Sequence, residues 1–328
     1  VVPDRAGAGP IRHHSGRPAR RSSPHFLRPH RTGAIFFPSP ESNFLSVNYQ
    51  ICLPERLTVE DIPHMKRICT DLRARGLMDM AYVYAWDEGA EIRPDLRRMM
   101  IEKWTVLKRE IPDLARANVY RNPDAEVMSV LDIVMPLTPQ LQYRERWDHW
   151  RERGHVTGAY ICNAPVHPCA NFFIDYPAID HRILFWQLYD HDVTFFLYYL
   201  INIWRQSRDR DPRWPDSDWV TATDGSVNGD GHLVYPGRHA VLPSVRLANI
   251  RDGIEDYEAP AVLEELTTRL DPKRDATLIE ANRRLLDVPK TVTSAINQYT
   301  RDPDVLMTAR HRVDTRILAT RAHLRADP

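Results

Sequence analysis

The stretch Ala81-Tyr82-Val83-Tyr84-Ala85-Trp86-Asp87-Glu88-Gly89 decides the fold. Its uncharged part is rich in Tyr and Val, follows the breaker Gly76, and reads as a strand buried on both faces, as strands of parallel sheets are. Two adjacent carboxylates, Asp87 and Glu88, end it. In barrels of parallel strands and helices, catalytic groups stand at the carboxyl ends of strands, where the loops line the open mouth. Side chains alternate between the faces of a regular strand. Both acids therefore reach one pocket only if the backbone curls as the strand ends, and Gly89 is the residue expected to permit that curl. The same residues also read as a solvated turn ahead of a helix that opens near Pro94.

Working outward, Thr58 and Asp61 mark a helix start. Ile62, Met65, Ile68, Cys69 and Leu72 then keep a helical spacing until Gly76. Pro94 opens a second helix carrying Leu96, Met99, Met100, Trp104 and Leu107, which stops before Pro112. Further strands are expected within Phe44 to Cys52, at Leu131 to Leu137, Val156 to Asn163 and Val193 to Asn202, with a short one at His232 to Tyr235. Helices are expected from Gln140 to Arg153 and from Arg182 to about His191. Another follows Ser244 as its cap, and more span Ala259 to Pro328, separated by Asp271-Pro272, Pro289 and Asp302-Pro303. Strands alternating with helices indicate a barrel or a doubly wound sheet. No GxGxxG or GxxxxGK follows a strand, which removes the usual nucleotide signals.

Composition narrows the function classes. The 328 residues, 43% hydrophobic, suffice for a sizeable core. Lys plus Arg equals Asp plus Glu at 44 each, so global charge gives no case for nucleic acid or an anionic membrane. Residues 1–43 are Arg, His, Pro, Gly and Ser rich and are expected to form a loose basic arm. They lack the apolar core of a secretion signal. No run approaches the ~20 apolar residues of a membrane span. Cys52, Cys69, Cys162 and Cys169 show no zinc-knuckle spacing, and His149, His167, His191 and His232 show none for a metal, so neither metal nor cofactor is expected. A Cys162–Cys169 bridge is open.

Longer words now accumulate. Asn228-Gly229-Asp230-Gly231-His232-Leu233-Val234-Tyr235-Pro236-Gly237, Leu242-Pro243-Ser244-Val245-Arg246-Leu247 and Arg251-Asp252-Gly253-Ile254-Glu255-Asp256-Tyr257-Glu258 closely resemble the C-terminal signature of glycoside hydrolase family 123. Tyr82 to Glu88 resembles that family's strand bearing the catalytic Asp-Glu pair. The resemblance implies a (β/α)8 TIM-type barrel. In this chain it would be incomplete on its N-terminal side, with the barrel portion over residues 44–258 and a C-terminal helical segment over 259–328.

The resemblance further implies retaining removal of β-linked N-acetylgalactosamine, or a related N-acetylhexosamine, by substrate-assisted catalysis. Glu88 would be the general acid and then the base. Asp87 would hold the 2-acetamido N–H while its carbonyl oxygen attacks the anomeric carbon, giving an oxazolinium intermediate. The partner would be a glycan or glycolipid ending in such a sugar, with an extracellular or periplasmic setting. Tyr160, Asn163, Tyr198, Tyr199, Asn202 and Trp204 lie on or just past later strands and could face the sugar, core packing and loop capping being the alternatives. Arg246, Arg251, Asp252, Glu255, Asp256 and Tyr257 read as structural, a buried ion-pair network fastening the last helix to the barrel, with substrate contact as the alternative. The alternative to an enzyme is an inactive carbohydrate-binding or scaffold remnant of the barrel. A basic-arm nucleic-acid binder is a third, weaker option.

Overall fold

The computed structural model describes residues 35–36, 45–46, 58–202, 227–237 and 239–326. Its centre is a parallel sheet of seven strands: β1 (Ile35–Phe36), β2 (Leu45–Ser46), β3 (Ala81–Tyr84), β4 (Ala115–Val119), β5 (Ile133–Met135), β6 (Val156–Ile161) and β7 (Phe195–Tyr198). They lie in the order β1-β7-β6-β5-β4-β3-β2. Strands β3 to β7 follow chain order and curl into a cup. Among the described residues the two-residue strands β1 and β2 take opposite edges and do not pair with each other, so these strands form an open, partial barrel, in line with the incomplete-barrel expectation. Ile35–Phe36, from the stretch read as a loose arm, pairs with β7. The rest of residues 1–43 lies outside the described residues.

Helices cover the convex face: α1 (Ile62–Ala74), α2 (Gly89–Ile92), α3 (Pro94–Glu110), α4 (Ala125–Met128), α5 (Arg144–Arg151) and α6 (Ala178–Asp190). After a small hairpin come α7 (Val245–Thr268), α8 (Ala276–Leu286) and α9 (Pro303–Ala326). The start of α1 is fastened by Asp61, whose side chain accepts from the Thr58 N–H at 2.8 Å and from its hydroxyl at 3.0 Å. Its stop is Gly76, at φ +67°.

The period-two alternation of the strands divides two cores. Tyr82, Ala115, Ala117, Ile133, Met135, Val156, Tyr160 and Phe195 fill the concave side. Val83, Val134, Ala159, Ile161, Phe196 and Tyr198 pack outward under the helices. Inside the cup, Tyr82 meets Phe195 edge to face at 5.2 Å. Gly158 makes this closeness possible, because a Cβ there would lie 2.7 Å from Met135 and 2.8 Å from the Phe195 carbonyl oxygen.

Three features differ from the sequence expectation. Strand β4 was not anticipated, since Arg116 and Asn118 interrupt it. Both are buried outward, with Arg116 paired to Asp132 at 2.5 Å and donating to the Val130 and Leu114 carbonyls. The short strand expected near His232 is β8 (Val234–Pro236), which pairs antiparallel with β9 (Val241–Pro243) outside the main sheet. Helix α7 is continuous through the boundary placed at residues 258–259, with Pro260 inside it. A second antiparallel pair, β10 (Thr293–Ala295) and β11 (Gln298–Tyr299), lies between α8 and α9 and is bound to α6 by Gln187.

Helix α7 is pressed closely onto α6. A Cβ on Gly253 would fall 2.2 Å from Phe185. Asp256, 1% exposed, ties three helices: it accepts from Arg182 at 2.8 Å on α6, from Trp186 Nε1 at 3.0 Å, and from Arg310 at 2.8 Å on α9. Removing a buried partner that compensates two guanidinium groups leaves uncompensated charge. Asp256→Ala should therefore destabilise the fold by about 3–5 kcal/mol in denaturant titration.

Burial also depresses two histidines. His181 is lowered to about 4 and His191 to about 3, the latter further repelled by Arg144 and Arg151. Unfolded, both would protonate near 6.5. The unfolded chain therefore binds more protons below that pH, and the stability gained by keeping the rings neutral is complete above 6.5 and lost as pH falls towards 4 and 3. Thermal melts should show the loss, and His181→Gln should flatten it.

Candidate active site

Strand β3 ends at Tyr84, and the backbone then turns left-handed at two consecutive non-glycine residues, Trp86 at φ +60° and Asp87 at φ +44°. Such positions cost on the order of 1–3 kcal/mol each. Trp86 is held there by packing. Its ring, 3% exposed, turns outward and meets Trp104 of α3 edge to face at 5.0 Å and 88°. A buried indole removes about 200 Å² from water, on the order of 5 kcal/mol, which matches the strain. Neither indole N–H has a hydrogen-bond partner among the described residues, so the pair holds by contact alone.

With Trp86 turned out, both following acids swing to the mouth of the cup. The Tyr84 hydroxyl, on the concave face, donates to Asp87 Oδ1. The Tyr160 hydroxyl, on β6, donates to Glu88 Oε1 at 2.5 Å. The curl that unites the acids therefore lies at Trp86 and Asp87 and not at Gly89, which instead begins α2 and leaves room for Leu96. Asp87 is exposed and Glu88 half-buried. Burial, then the charge of Asp87, raises the Tyr84 phenol well above its ordinary value. Burial, then the bond to Glu88, raises that of Tyr160. Both phenols therefore stay protonated and act as donors.

The other expected residues divide. Tyr199, just past β7, donates to Asp230 Oδ2 at 2.7 Å. Asn163 is exposed beyond β6 and accepts from the Cys162 thiol at 3.2 Å. Asn202 is exposed and bridges His232. Tyr198, expected at the sugar, is placed otherwise by strand alternation: it is fully buried on the outer face, 5.2 Å from Phe172, and its oxygen accepts from the Gly231 N–H at 2.7 Å. Trp204 lies outside the described residues.

Tyr198 thus braces the turn Asn228 to Gly231 from behind. Arg246, 6% exposed, braces it too, donating to the Gly229 carbonyl at 2.7 Å and the Phe172 carbonyl at 2.6 Å. Gly229 and Gly231 sit at φ +87° and +72°, conformations open to glycine. Asp256 takes the buried ion-pair role expected of it, whereas Arg246 is buried but braces backbone carbonyls. Tyr257 fastens α7 through the Val193 carbonyl at 2.8 Å, while Arg251 pairs with Asp252 at the exposed surface.

Three site residues escaped the sequence analysis: Tyr84, Cys162 and Asp230. Tyr84 stood in the quoted strand on the same face as Tyr82, and Asp230 in the quoted turn. Cys162, which extends the inward row of Tyr160, is pushed up to about 11, first by burial and then by the negative charges of Asp230, Glu88 and Asp87. Cys69, Cys162 and Cys169 are free thiols. Among the described residues no three His, Cys, Asp or Glu side chains gather as a metal site would require.

A cup of parallel strands with a carboxyl pair at its mouth, each acid steadied by a phenol, has the parts of a hydrolase that cleaves glycosidic bonds. The model of the glycoside hydrolase 123 catalytic domain matches residues 63–263, and the chain belongs to that family. Among solved structures, a family 123 glycoside hydrolase from Clostridium perfringens, described for glycolipid glycan hydrolysis, is similar at 13% identity and a TM-score of 0.48. The similarity covers 81% of this chain, which spans 46% of that one. No curated protein matches the chain.

The thiol at the mouth yields a chemical test. With its pKa near 11 against an ordinary 9.0, Cys162 holds about a hundredfold less thiolate at pH 8 than an unperturbed thiol. Because a more basic thiolate is also more nucleophilic, iodoacetamide followed by peptide mass spectrometry should label it at least roughly tenfold more slowly than glutathione.

Proposed function

We propose that this chain carries the catalytic centre of a glycosidase removing terminal β-linked N-acetylgalactosamine, or a related N-acetylhexosamine, from glycans or glycolipids with retention of configuration. The observation that carries this is the left-handed backbone at Trp86 and Asp87, which sends two adjacent acids to one mouth. Adjacent carboxylates suffice when the nucleophile belongs to the substrate, because the separations of ordinary retaining and inverting pairs are then not required.

In this reaction the acetamido oxygen of the sugar attacks its own anomeric carbon and the bond to the leaving oxygen breaks. Glu88 gives that oxygen its proton. Tyr160 occupies Oε1, so the proton rides on Oε2. Asp87 accepts the acetamido N–H and stabilises the positive charge that develops on the oxazolinium ring. Glu88, now ionised, takes a proton from water as the water opens the ring and restores the β configuration. The walls of the cup, built on packed strands, hold the acids in place, so orientation contributes alongside proton transfer.

An aryl β-N-acetylgalactosaminide assayed with wild type, Glu88→Gln and Asp87→Asn tests the reading. Both variants should lose about 100-fold or more in kcat, and proton NMR should show the β-anomer as first product. Equal rates in all three proteins would defeat it. Tight binding of a thiazoline analogue of the intermediate without any turnover would instead favour a carbohydrate-binding remnant.

A further inference from the structure

We infer that Tyr84 is a positioning residue of this reaction, one that fixes Asp87 so that a single carboxylate oxygen is left to receive the acetamido N–H. The inference rests on the function proposed above and deepens it. Among the described residues, Asp87 has one hydrogen bond, from Tyr84 to Oδ1. Glu88 likewise has one, from Tyr160 on the far side of the cup. Each acid therefore has its own phenol, and the two phenols come from different strands.

The difference between the two pairs is informative. Tyr160 reaches Glu88 across the cup, over 72 residues of chain, and its position is set by β6. Tyr84 reaches Asp87 over three residues, and does so only because Trp86 and Asp87 turn left-handed between them. In a regular strand Tyr84 and Asp87 would point to opposite faces. The strained turn thus both delivers Asp87 to the mouth and seats it on the phenol of its own strand.

Asp87 is the exposed member of the pair, on a short side chain with two rotatable bonds and no contact with a cation among the described residues. Without Tyr84 its carboxylate would rotate in solvent. With Oδ1 occupied, Oδ2 is the acceptor presented to the mouth. Tyr84 is buried enough that its phenol remains a donor over the working pH range, so the restraint is permanent and not a titrating switch. An amide N–H gains acidity as its carbonyl attacks, so the bond to Oδ2 strengthens in the transition state, and a misaimed Asp87 impairs turnover more than sugar binding.

Tyr84→Phe keeps the ring and removes only the donor. A hydrogen bond to a charged group is worth about 1.5–3 kcal/mol, or roughly 10- to 150-fold. The variant should lose that factor in kcat with KM within about twofold of wild type, and should melt within a few degrees of it. It should also lose the same factor in affinity for the thiazoline analogue, measured by calorimetry, with affinity for free N-acetylgalactosamine unchanged. In an Asp87→Asn background the substitution should cost almost nothing, since the pair acts as a unit. Active wild type with Tyr84→Phe unchanged in kcat and thiazoline binding overturns this inference and leaves the proposed function standing. Equal losses for thiazoline and free sugar, or additive losses with Asp87→Asn, assign Tyr84 a general structural role and overturn it as well. Wild type that neither turns over nor binds thiazoline overturns both.

Discussion

The edge-to-face contact between Trp86 and Trp104 is the constraint on which the site depends. It draws the last residue before the acids out of the cup and into the helical layer, against the preference of a bulky residue for negative φ. Once that ring is anchored, the backbone has no regular strand path left, and Asp87 and Glu88 are both delivered to the concave side. The strained conformation persists because the surrounding packing over-determines it. Helix α3 is therefore as much a part of the site as the strand that carries the acids.

The opposite wall of the mouth is held by polar groups instead. The turn from Asn228 to Gly231 has little apolar surface of its own, and its left-handed glycines do not fix it. Arg246 gathers its carbonyls from below, Tyr198 accepts its N–H from behind, and Asn228 donates to Asp175 at 2.7 Å. Farther out, Asp256 joins α6, α7 and α9 through two arginines and a tryptophan. A buried hub of this kind fixes register between helices more surely than apolar contact, which tolerates sliding. Through α7, the hub and Arg246 are one mechanical unit, ten residues apart on the same helix.

Much of this was legible in the chain. The apolar run before Asp87, the helical spacing up to Gly76, the Pro94 start and the Ser244 cap each correspond to an observed element, because each depends on local chemistry. Strand β4 was not legible. Its outward positions carry Arg116 and Asn118, and only the Asp132 carboxylate and nearby carbonyls make a buried guanidinium tolerable. The place of Tyr198 was misread for a related reason: adjacent tyrosines at 198 and 199 look alike in sequence, while strand parity turns Tyr198 to the helices and Tyr199, just past the strand, bonds to Asp230. Asp230 was quoted as part of a turn, but its bond to Tyr199 depends on how the end of β7 and that turn meet.

The sequence by itself determined the class of the fold and the family, since alternating strand and helix signals and a long specific word survive without knowledge of contacts. What only the tertiary structure decided is which side chains face the mouth. Facing depends on strand parity, on the two left-handed residues at Trp86 and Asp87, and on the partner ring of Trp104, and the last of these lies on a separate helix whose approach no local pattern encodes.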